Sequence, residues 1–379
     1  MFIHRKSLIL QKRIAMYLHQ RDNWWDFRYD SSAIMNRLAA VRAKQGMLLG
    51  KMTSLGFPLQ DEAVLTSMAL EVIKSSEIEG EILNLNQVRS SLAKRLGFDI
   101  STSVPVSRYI EGVVEMMLDA TQHYAVPMTD ERLFGWHNVL FPSGISGLYK
   151  IEVGRYRSGE MQVVSGAMGR EKVHYEAPAP ERVPEEMARF IAWLNENNAS
   201  LDPVMKAGIA HLWFVSIHPF DDGNGRITRA ITEMLLCRAD GSGKRFYSMS
   251  YQISLEKNKY YDVLEKTQKG SGDITEWLLW FLDCLDKAIE STTETLSAVL
   301  SKARFWDVHK EDRFNERQMK IVNMLFDDFF GKLTTSKWAK IAKCSSDTAL
   351  NDINDLISKG VLKKNEEGGR STNYSIIVP

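Results

Sequence analysis

The stretch from Val204 to Ile217, VMKAGIAHLWFVSI, is apolar on nearly every side and predicts a helix buried all round. It runs into His218–Ala230, HPFDDGNGRITRA, which crowds a histidine, two aspartates, two glycines and two arginines together. Pro219 disfavours helical geometry in the residue before it, so the first helix ends near Ile217 or His218. Ile227, Ala230, Ile231, Met234 and Leu235 then recur at helical spacing, which starts a second buried helix between Asn224 and Arg226. A polar loop is thus pinned between two core helices, and few folds tolerate that arrangement without using it.

The residue types in the loop point to phosphate chemistry. Gly223 and Gly225 permit a tight turn and leave backbone N–H groups uncovered at a helix N-terminus, where partial positive charge favours an anion. Arg226 and Arg229, three apart, share a helix face that should be distinct from the apolar stripe. Amides and two guanidinium groups together read as a polyphosphate cradle. A carboxylate beside bound phosphate, Asp221 or Asp222, makes sense if Mg²⁺ bridges the two. His218 is the group here that titrates near neutrality and is the natural proton acceptor. Base, metal carboxylate and cradle suggest phosphoryl or nucleotidyl transfer. A capped interhelical turn with surface ion pairs is the plainer alternative, but it leaves the glycine spacing and the histidine unexplained. No Walker pattern is present in this stretch.

His218, Phe220, Asp222, Gly223, Asn224, Gly225, Arg226 and Arg229 fill every specified position of H-x-F-x-[D/E]-G-N-G-R-x-x-R, the signature of the Fic family. The resemblance runs from about Pro105 to Asp286. It implies a mainly α, Fic-type helical bundle and transfer of AMP from ATP to a Tyr, Thr or Ser hydroxyl of a protein, with pyrophosphate leaving. By the same resemblance His218 deprotonates the acceptor and Asp222 holds Mg²⁺ on the phosphates. Asn224, the amides of Gly223 and Gly225, and Arg226 hold phosphate oxygens, Arg229 meets the outer phosphates, and Phe220 anchors the loop. Asp221 occupies the variable position.

Upstream, SSEIEGE (Ser75–Glu81) closes a helix expected over 61–80 and crowds three glutamates at its exit. Gly80 favours helix termination. Negative charge there opposes the helix dipole by about 0.3–1 kcal/mol per exposed group, so a cation elsewhere should compensate. Ser75, Glu79 and Gly80 resemble the Fic inhibitory motif [S/T]-x-x-x-E-[G/N]. That likeness implies that Glu79 pairs with Arg229 and blocks the productive pose of ATP, with Ser75 helping to orient the helix.

Between Gly144 and Tyr175 glycines become frequent, and MQVVSG has β character between turn formers. This hairpin resembles the Fic flap. The likeness implies that an extended protein substrate adds to it as a strand, and that Val163, Val164, Ser165 and Gly166 touch the nucleotide. Further on, KNKYYDVLEKTQ places Tyr260, Tyr261 and Gln268 where the resemblance implies an adenosine pocket. Adjacent tyrosines on a helix diverge, so one of the two should meet the base.

Four segments are expected: an N-terminal helical extension over 1–104, a Fic core over 105–290, a helical linker over 291–312 and a winged-helix domain over 313–379. Helices over Arg313–Asp328, Ser336–Ala342 and Ser345–Ser358, then two β-like runs about Gly368–Gly369, outline that last domain. Its would-be reading helix carries Asp347, Asp352 and Asp355 without Lys or Arg, which disfavours DNA and favours a protein contact. Lysines and arginines (48) equal aspartates and glutamates (48), so the chain has no global pull toward nucleic acid or membrane. No apolar run approaches the ~20 residues of a membrane span. The N-terminal stretch MFIHRKSLILQKRIAMYLHQ shows helical spacing rather than a signal peptide. Cys237, Cys284 and Cys344 are scattered, as reduced thiols of a cytoplasmic protein would be. Trp24, Trp25, Phe27 and Tyr29 are expected in the core. The leading expectation is an autoinhibited, Mg²⁺-dependent protein adenylyltransferase that also acts on itself, with a regulated homodimer as a candidate assembly. The alternatives are a Fic enzyme moving UMP, phosphocholine or phosphate, and a DNA-binding regulator using the fold as a ligand sensor.

Overall fold

A computed structural model of the chain describes residues 17–98, 104–165, 172–326, 329, 331–365 and 372–378, with backbone alone at 57–58, 293–300 and 303. The expected N-terminal helix before residue 17, Gly166, and the turn at Gly368–Gly369 lie outside the described residues. Two compact units emerge, Met1–Gly56 with Gln60–Glu290, and Phe57–Leu59 with Ser291–Pro379.

The larger unit is helical: α1 (Ser31–Thr53), α2 (Phe57–Ile78), α3 (Leu85–Leu96), α4 (Arg108–Gln122) and α5 (Asp130–Leu140) precede two short hairpins. These are β1 (Ile145–Ser146) with β2 (Tyr149–Lys150), and β3 (Gln162–Ser165) with β4 (Lys172–Glu176), both antiparallel. Then come α6 (Val183–Asn195), α7 (Pro203–Ile217), α8 (Asn224–Asp240), α9 (Met249–Leu255), α10 (Lys257–Gln268) and α11 (Thr275–Val308), whose residues from Ser291 onward belong to the smaller unit.

The centre of the unit is the α7–α8 pair. Asp202 caps α7 by accepting from the Val204 amide, and Pro203 opens the helix where its missing N–H costs nothing. Every residue from Val204 to Ile217 is buried. His218 ends the helix in the left-handed region at φ 53°, just before Pro219. Gly223, at φ 82°, turns the chain into α8, which is buried over most of its length. Both helix limits agree with the sequence spacing. The apolar stripe does not leave a solvent-facing arginine side, however. Arg226 and Arg229 are 1 % and 2 % exposed, so the cradle lies inside the fold.

Neighbouring helices close round this pair. Trp24 is buried edge-on to Trp213 of α7 and donates its indole N–H to Glu186 at 3.1 Å. Trp25, Phe27 and Tyr29 are only half-buried; Trp25 lies under the Arg189 guanidinium instead of entering the core. Helix α4 crosses α5 at Gly112, where an added Cβ would sit 1.8 Å from the Val139 carbonyl oxygen.

The smaller unit carries α12 (Glu316–Phe326), α13 (Thr335–Ala342) and α14 (Ser346–Ser358), with β5 (Leu362–Lys364) paired antiparallel to β6 (Tyr374–Ile376). Its own core holds Ile321, Trp338, Ile353, Leu356 and Val361. Asp352, one of the three aspartates of α14, is buried and takes a two-armed bond from Arg317 at 2.8 and 3.0 Å.

Gly112→Ala must separate α4 from α5, because a backbone carbonyl cannot swing aside. The variant is expected to lose about 1–3 kcal/mol or more in urea unfolding; wild-type stability would refute this packing.

Candidate functional site

The loop from His218 to Gly223 is held by the fold from three sides. Arg157, buried, donates to the His218 carbonyl at 2.8 Å and the Pro178 carbonyl at 2.5 Å, while its own amide donates to the Pro219 carbonyl at 2.9 Å. His137 stacks on Phe220 with ring centroids 4.3 Å apart. The Gly154 amide donates to His137 Nδ1 at 3.2 Å, so Nε2 carries the proton and donates to the Asp222 carbonyl at 3.1 Å. Burial pushes the His137 imidazole down to about 4, which keeps it in this neutral form. Phe220 is fully buried, as an anchor should be.

Asn224, expected to hold phosphate oxygens, bonds the loop backbone. Its side chain accepts from the Phe220 amide at 2.9 Å and donates to the Phe220 carbonyl at 2.7 Å. One of the two amide N–H donors is thus used on the loop, and Asn224 also lines the cavity described below.

His218 Nδ1 lies 3.0 Å from the Val215 carbonyl. A carbonyl can only accept, so Nδ1 holds the proton and Nε2 keeps its lone pair. Burial lowers the pKa of the imidazole, an effect that the Val215 bond and the charges of Glu79 and Asp222 only partly oppose. Asp222 is half-exposed. Ser146 donates to its Oδ2, the Gly223 amide donates to Oδ1 at 2.5 Å, and Arg226 Nη2 stands 3.6 Å from Oδ1. Asp221 accepts from the Glu152 amide at 2.9 Å. Among the described residues no cluster of three or more His, Cys, Asp or Glu could by itself hold a metal. One open carboxylate is nonetheless what Mg²⁺ requires when phosphates and waters complete its shell.

The end of α2 meets the two arginines. Arg229 Nη2 donates to Glu79 Oε1 at 2.8 Å and to the Ser75 carbonyl at 2.6 Å, and Nε donates to Ser75 Oγ at 2.8 Å. Burial disfavours the Arg229 charge, and Glu79 together with Tyr260 and Tyr261 offsets that, holding the guanidinium above its ordinary range. Gly225 is helical, and a Cβ there would fall 1.9 Å from Glu79 Oε1. Its lack of a side chain is the opening through which Glu79 reaches Arg229. Gly80, at φ 89°, lets the chain leave the helix there.

Sequence reasoning missed two residues here. Glu81 Oε2 stands 3.0 Å from Arg226 Nη1, beside the Tyr109 hydroxyl at 2.6 Å. Burial raises the Glu81 pKa, against the pull of Arg226. Lys257 Nζ donates to the Ile78 carbonyl at 2.6 Å and so satisfies the end of α2. Arg226 Nε is buried with no hydrogen-bond partner.

A cavity of about 580 Å³ joins these parts. His218, Asp222, Asn224 and Gly225 form its floor, and Glu79 lines it where Arg229 does not. Val163, Val164 and Ser165 of β3 line another side. Tyr260, Tyr261 and Gln268 of α10 also border it. Both tyrosines border the cavity, and their rings lean together with centroids 5.0 Å apart. The Tyr260 hydroxyl is held by His211 Nε2 at 3.0 Å, and Gln268 donates to Ser216 Oγ at 3.1 Å.

This fold and loop define the class: residues 127–236 match the model of the Fic/DOC family, and the chain contains a Fic domain. Residues 17–98 match a second model, described as Domain of unknown function (DUF4172). Over 222 residues, 58 % of this chain, the sequence is 29 % identical to the Protein adenylyltransferase Fic of Drosophila yakuba. The match spans 40 % of that relative's length. In structure the chain resembles a Fic family protein from Desulfovibrio desulfuricans G20, with a TM-score of 0.53 and 22 % identity over 91 % of this chain and 96 % of that one. It also resembles a Fic domain containing signaling protein from Bacteroides thetaiotaomicron VPI-5482, with a TM-score of 0.50 and 22 % identity over 68 % and 97 %. At these identities the structural likeness speaks for the fold. No helix among the described residues is long and apolar enough to cross a membrane.

Gly225→Ala is expected to drive Glu79 off Arg229 and to cost about 1–3 kcal/mol in thermal or urea unfolding. Adding Glu79→Gly removes the clashing carboxylate, so the double variant should lose less than the two single losses added together. Strict additivity would mean that the two residues do not meet.

Proposed function

We propose that the chain is a protein adenylyltransferase, moving AMP from ATP to a Tyr, Thr or Ser hydroxyl and releasing pyrophosphate, and that Glu79 holds it in an inhibited state. The observation that carries this reading is the meeting of a free imidazole nitrogen, an open carboxylate and a helix N-terminus in one cavity. His218 Nε2 takes the hydroxyl proton as the acceptor oxygen attacks the α-phosphorus in line. The amides opening α8 and the guanidinium of Arg226, whose Nε is left without a partner, receive negative charge as it builds on the phosphate oxygens. Most of the rate then comes from positioning and charge rather than from a covalent intermediate.

Asp222 is the residue that would hold Mg²⁺ on the phosphates. When bound, the ion would neutralise phosphate charge. The carboxylate is half-exposed, it accepts from Ser146 and the Gly223 amide, and its cationic neighbour Arg226 stands off at 3.6 Å, which suits that task. Tyr260 and Tyr261 supply aromatic surface for a purine, and Gln268 closes the same wall. The exposed edge of β3 suits an acceptor segment that joins as an added strand.

Inhibition follows from competition. While Glu79 occupies Arg229 and fills the space over Gly225, outer phosphates that need the same guanidinium are kept from it. We read the smaller unit as a winged helix used for protein contact. Its α14 turns acidic groups outward or inward onto Arg317, and presents no basic side to phosphate.

Glu79→Gly, assayed with labelled ATP and Mg²⁺, is expected to raise AMP incorporation about tenfold or more over wild type, equivalent to about 1.4 kcal/mol. An unchanged rate would remove Glu79 as the inhibitor. In that activated background, His218 sets the acid limb of the pH profile. The neutral imidazole is the active form, and burial lowers its pKa, so activity should persist below about pH 6.5 and fall only as pH drops through the lowered value. His218→Ala should cost about 10²–10⁴-fold. An inflection above the ordinary histidine value, or a fully active His218→Ala, would overturn the assignment of the base.

A further inference from the structure

Ser165, at the end of β3, borders the same cavity as His218 and is exposed. Its Oγ lies 2.5 Å from Nε2 of His174 on the paired strand β4. His174 Nδ1 lies 2.5 Å from Glu265 Oε2 on α10. A carboxylate only accepts, so in the neutral imidazole Nδ1 carries the proton and Nε2 receives the hydroxyl hydrogen of Ser165. Hydroxyl, imidazole and carboxylate thus stand in the order that turns an alcohol into a nucleophile. Glu265 is kept ionised: its burial is outweighed by bonds from Lys269 and His174, which hold its pKa below the ordinary range.

A purely structural tie between the flap and α10 needs only the His174–Glu265 contact. The Ser165 bond is exposed and adds little to stability. What it adds is a hydroxyl bordering the cavity, with its proton already directed to a base. All three side chains border the cavity, and Tyr175, next to His174, is buried and donates to the Ser216 carbonyl at 2.7 Å. The strand that carries the relay is therefore fixed against α7.

We propose that Ser165 is a self-modification site, primed by His174 and Glu265 to accept a phosphorus electrophile bound in this cavity. With ATP the inference rests on the adenylyltransferase reading above. A bond forms between Ser165 Oγ and the α-phosphorus. The bond from that phosphorus to the bridging oxygen breaks, and pyrophosphate leaves with the electron pair. The hydroxyl proton passes to His174 Nε2, and Glu265 stabilises the resulting cation. The flap then carries the mass of one AMP at the mouth of the site, where it obstructs further acceptors.

Two labels test this on the full chain carrying Glu79→Gly. One is ATP with Mg²⁺; the other is an organic phosphorofluoridate, which reacts with a primed serine by losing fluoride and needs no nucleotide. Peptide mapping by mass spectrometry should find both labels on Ser165. Ser165→Ala should abolish them there, Ser165→Thr should restore labelling in part, and His174→Gln should slow labelling about 10²-fold or more. AMP found elsewhere on the chain with Ser165 bare would overturn this site and leave adenylyl transfer standing. Phosphorofluoridate on Ser165, dependent on His174, with no AMP transfer at all, would support the primed hydroxyl and overturn the nucleotide reading instead. Neither label on Ser165, or labelling indifferent to His174, would overturn the proposal.

Discussion

Two guanidinium groups lie inside a helical core, and the arrangement of the site follows from the need to pair them. Arg226 and Arg229 sit on α8 with 2 % of each side chain exposed. Withdrawing such a charge from water costs several kcal/mol unless an anion and further hydrogen bonds replace the lost hydration. The end of α2 and the residues just beyond it supply them: Ser75 and Glu79 for Arg229, Glu81 for Arg226. Gly225, just before Arg226, is what lets the Glu79 carboxylate come that close to Arg229. Replacing Gly225 by any other residue would leave Arg229 searching for a partner that steric overlap denies it.

The same requirement explains how a polyphosphate site could be held in check without a large movement. A buried cation does not discriminate strongly between a carboxylate and a phosphate oxygen; both are charged, oxygen-bearing and well suited to a guanidinium fork. In the proposed reading Glu79 therefore keeps the site intact and occupied at once. Displacing it by a triphosphate exchanges one ion pair for another in the same low-dielectric place, and the balance between them is set by small terms. Those terms include the Glu81–Arg226 contact, in which a partly desolvated carboxylate is held at a raised pKa. They also include the bond from Lys257 to the Ile78 carbonyl, which fixes the end of α2.

The helices on either side of the loop were legible because apolar spacing, Pro219 and two glycines all agree over 204–235. Local preference and burial point the same way there, which is the condition under which a single sequence is informative. What could not be read was direction. Three-residue spacing places Arg226 and Arg229 on one side of α8, but spacing alone does not say that this side faces inward to α2 rather than outward to solvent. The role of Asn224 was hidden for a similar reason. A motif position fixes residue type, whereas the choice between phosphate and the backbone of Phe220 depends on how tightly the loop closes. His174 and Glu265 are 91 residues apart and carry no local signal; only the hairpin laid against α10 joins them.

The three glutamates at the exit of α2 show how far a local anomaly can be pressed. Glu77 is resolved within its own helix, by Lys74 at 2.6 Å. Glu79 and Glu81 have no such neighbour, and a carboxylate at a helix C-terminus is unfavourable in proportion to how little compensates it. Compensation from another element was therefore implied for two residues, not one. The resemblance to a known motif directed attention to Glu79, whereas the electrostatic argument applies equally to Glu81, and the structure joins Glu81 to the first arginine as it joins Glu79 to the second. Physical unease at a helix end carried more information about this site than the pattern match alone, because it counts every charge that must find a partner.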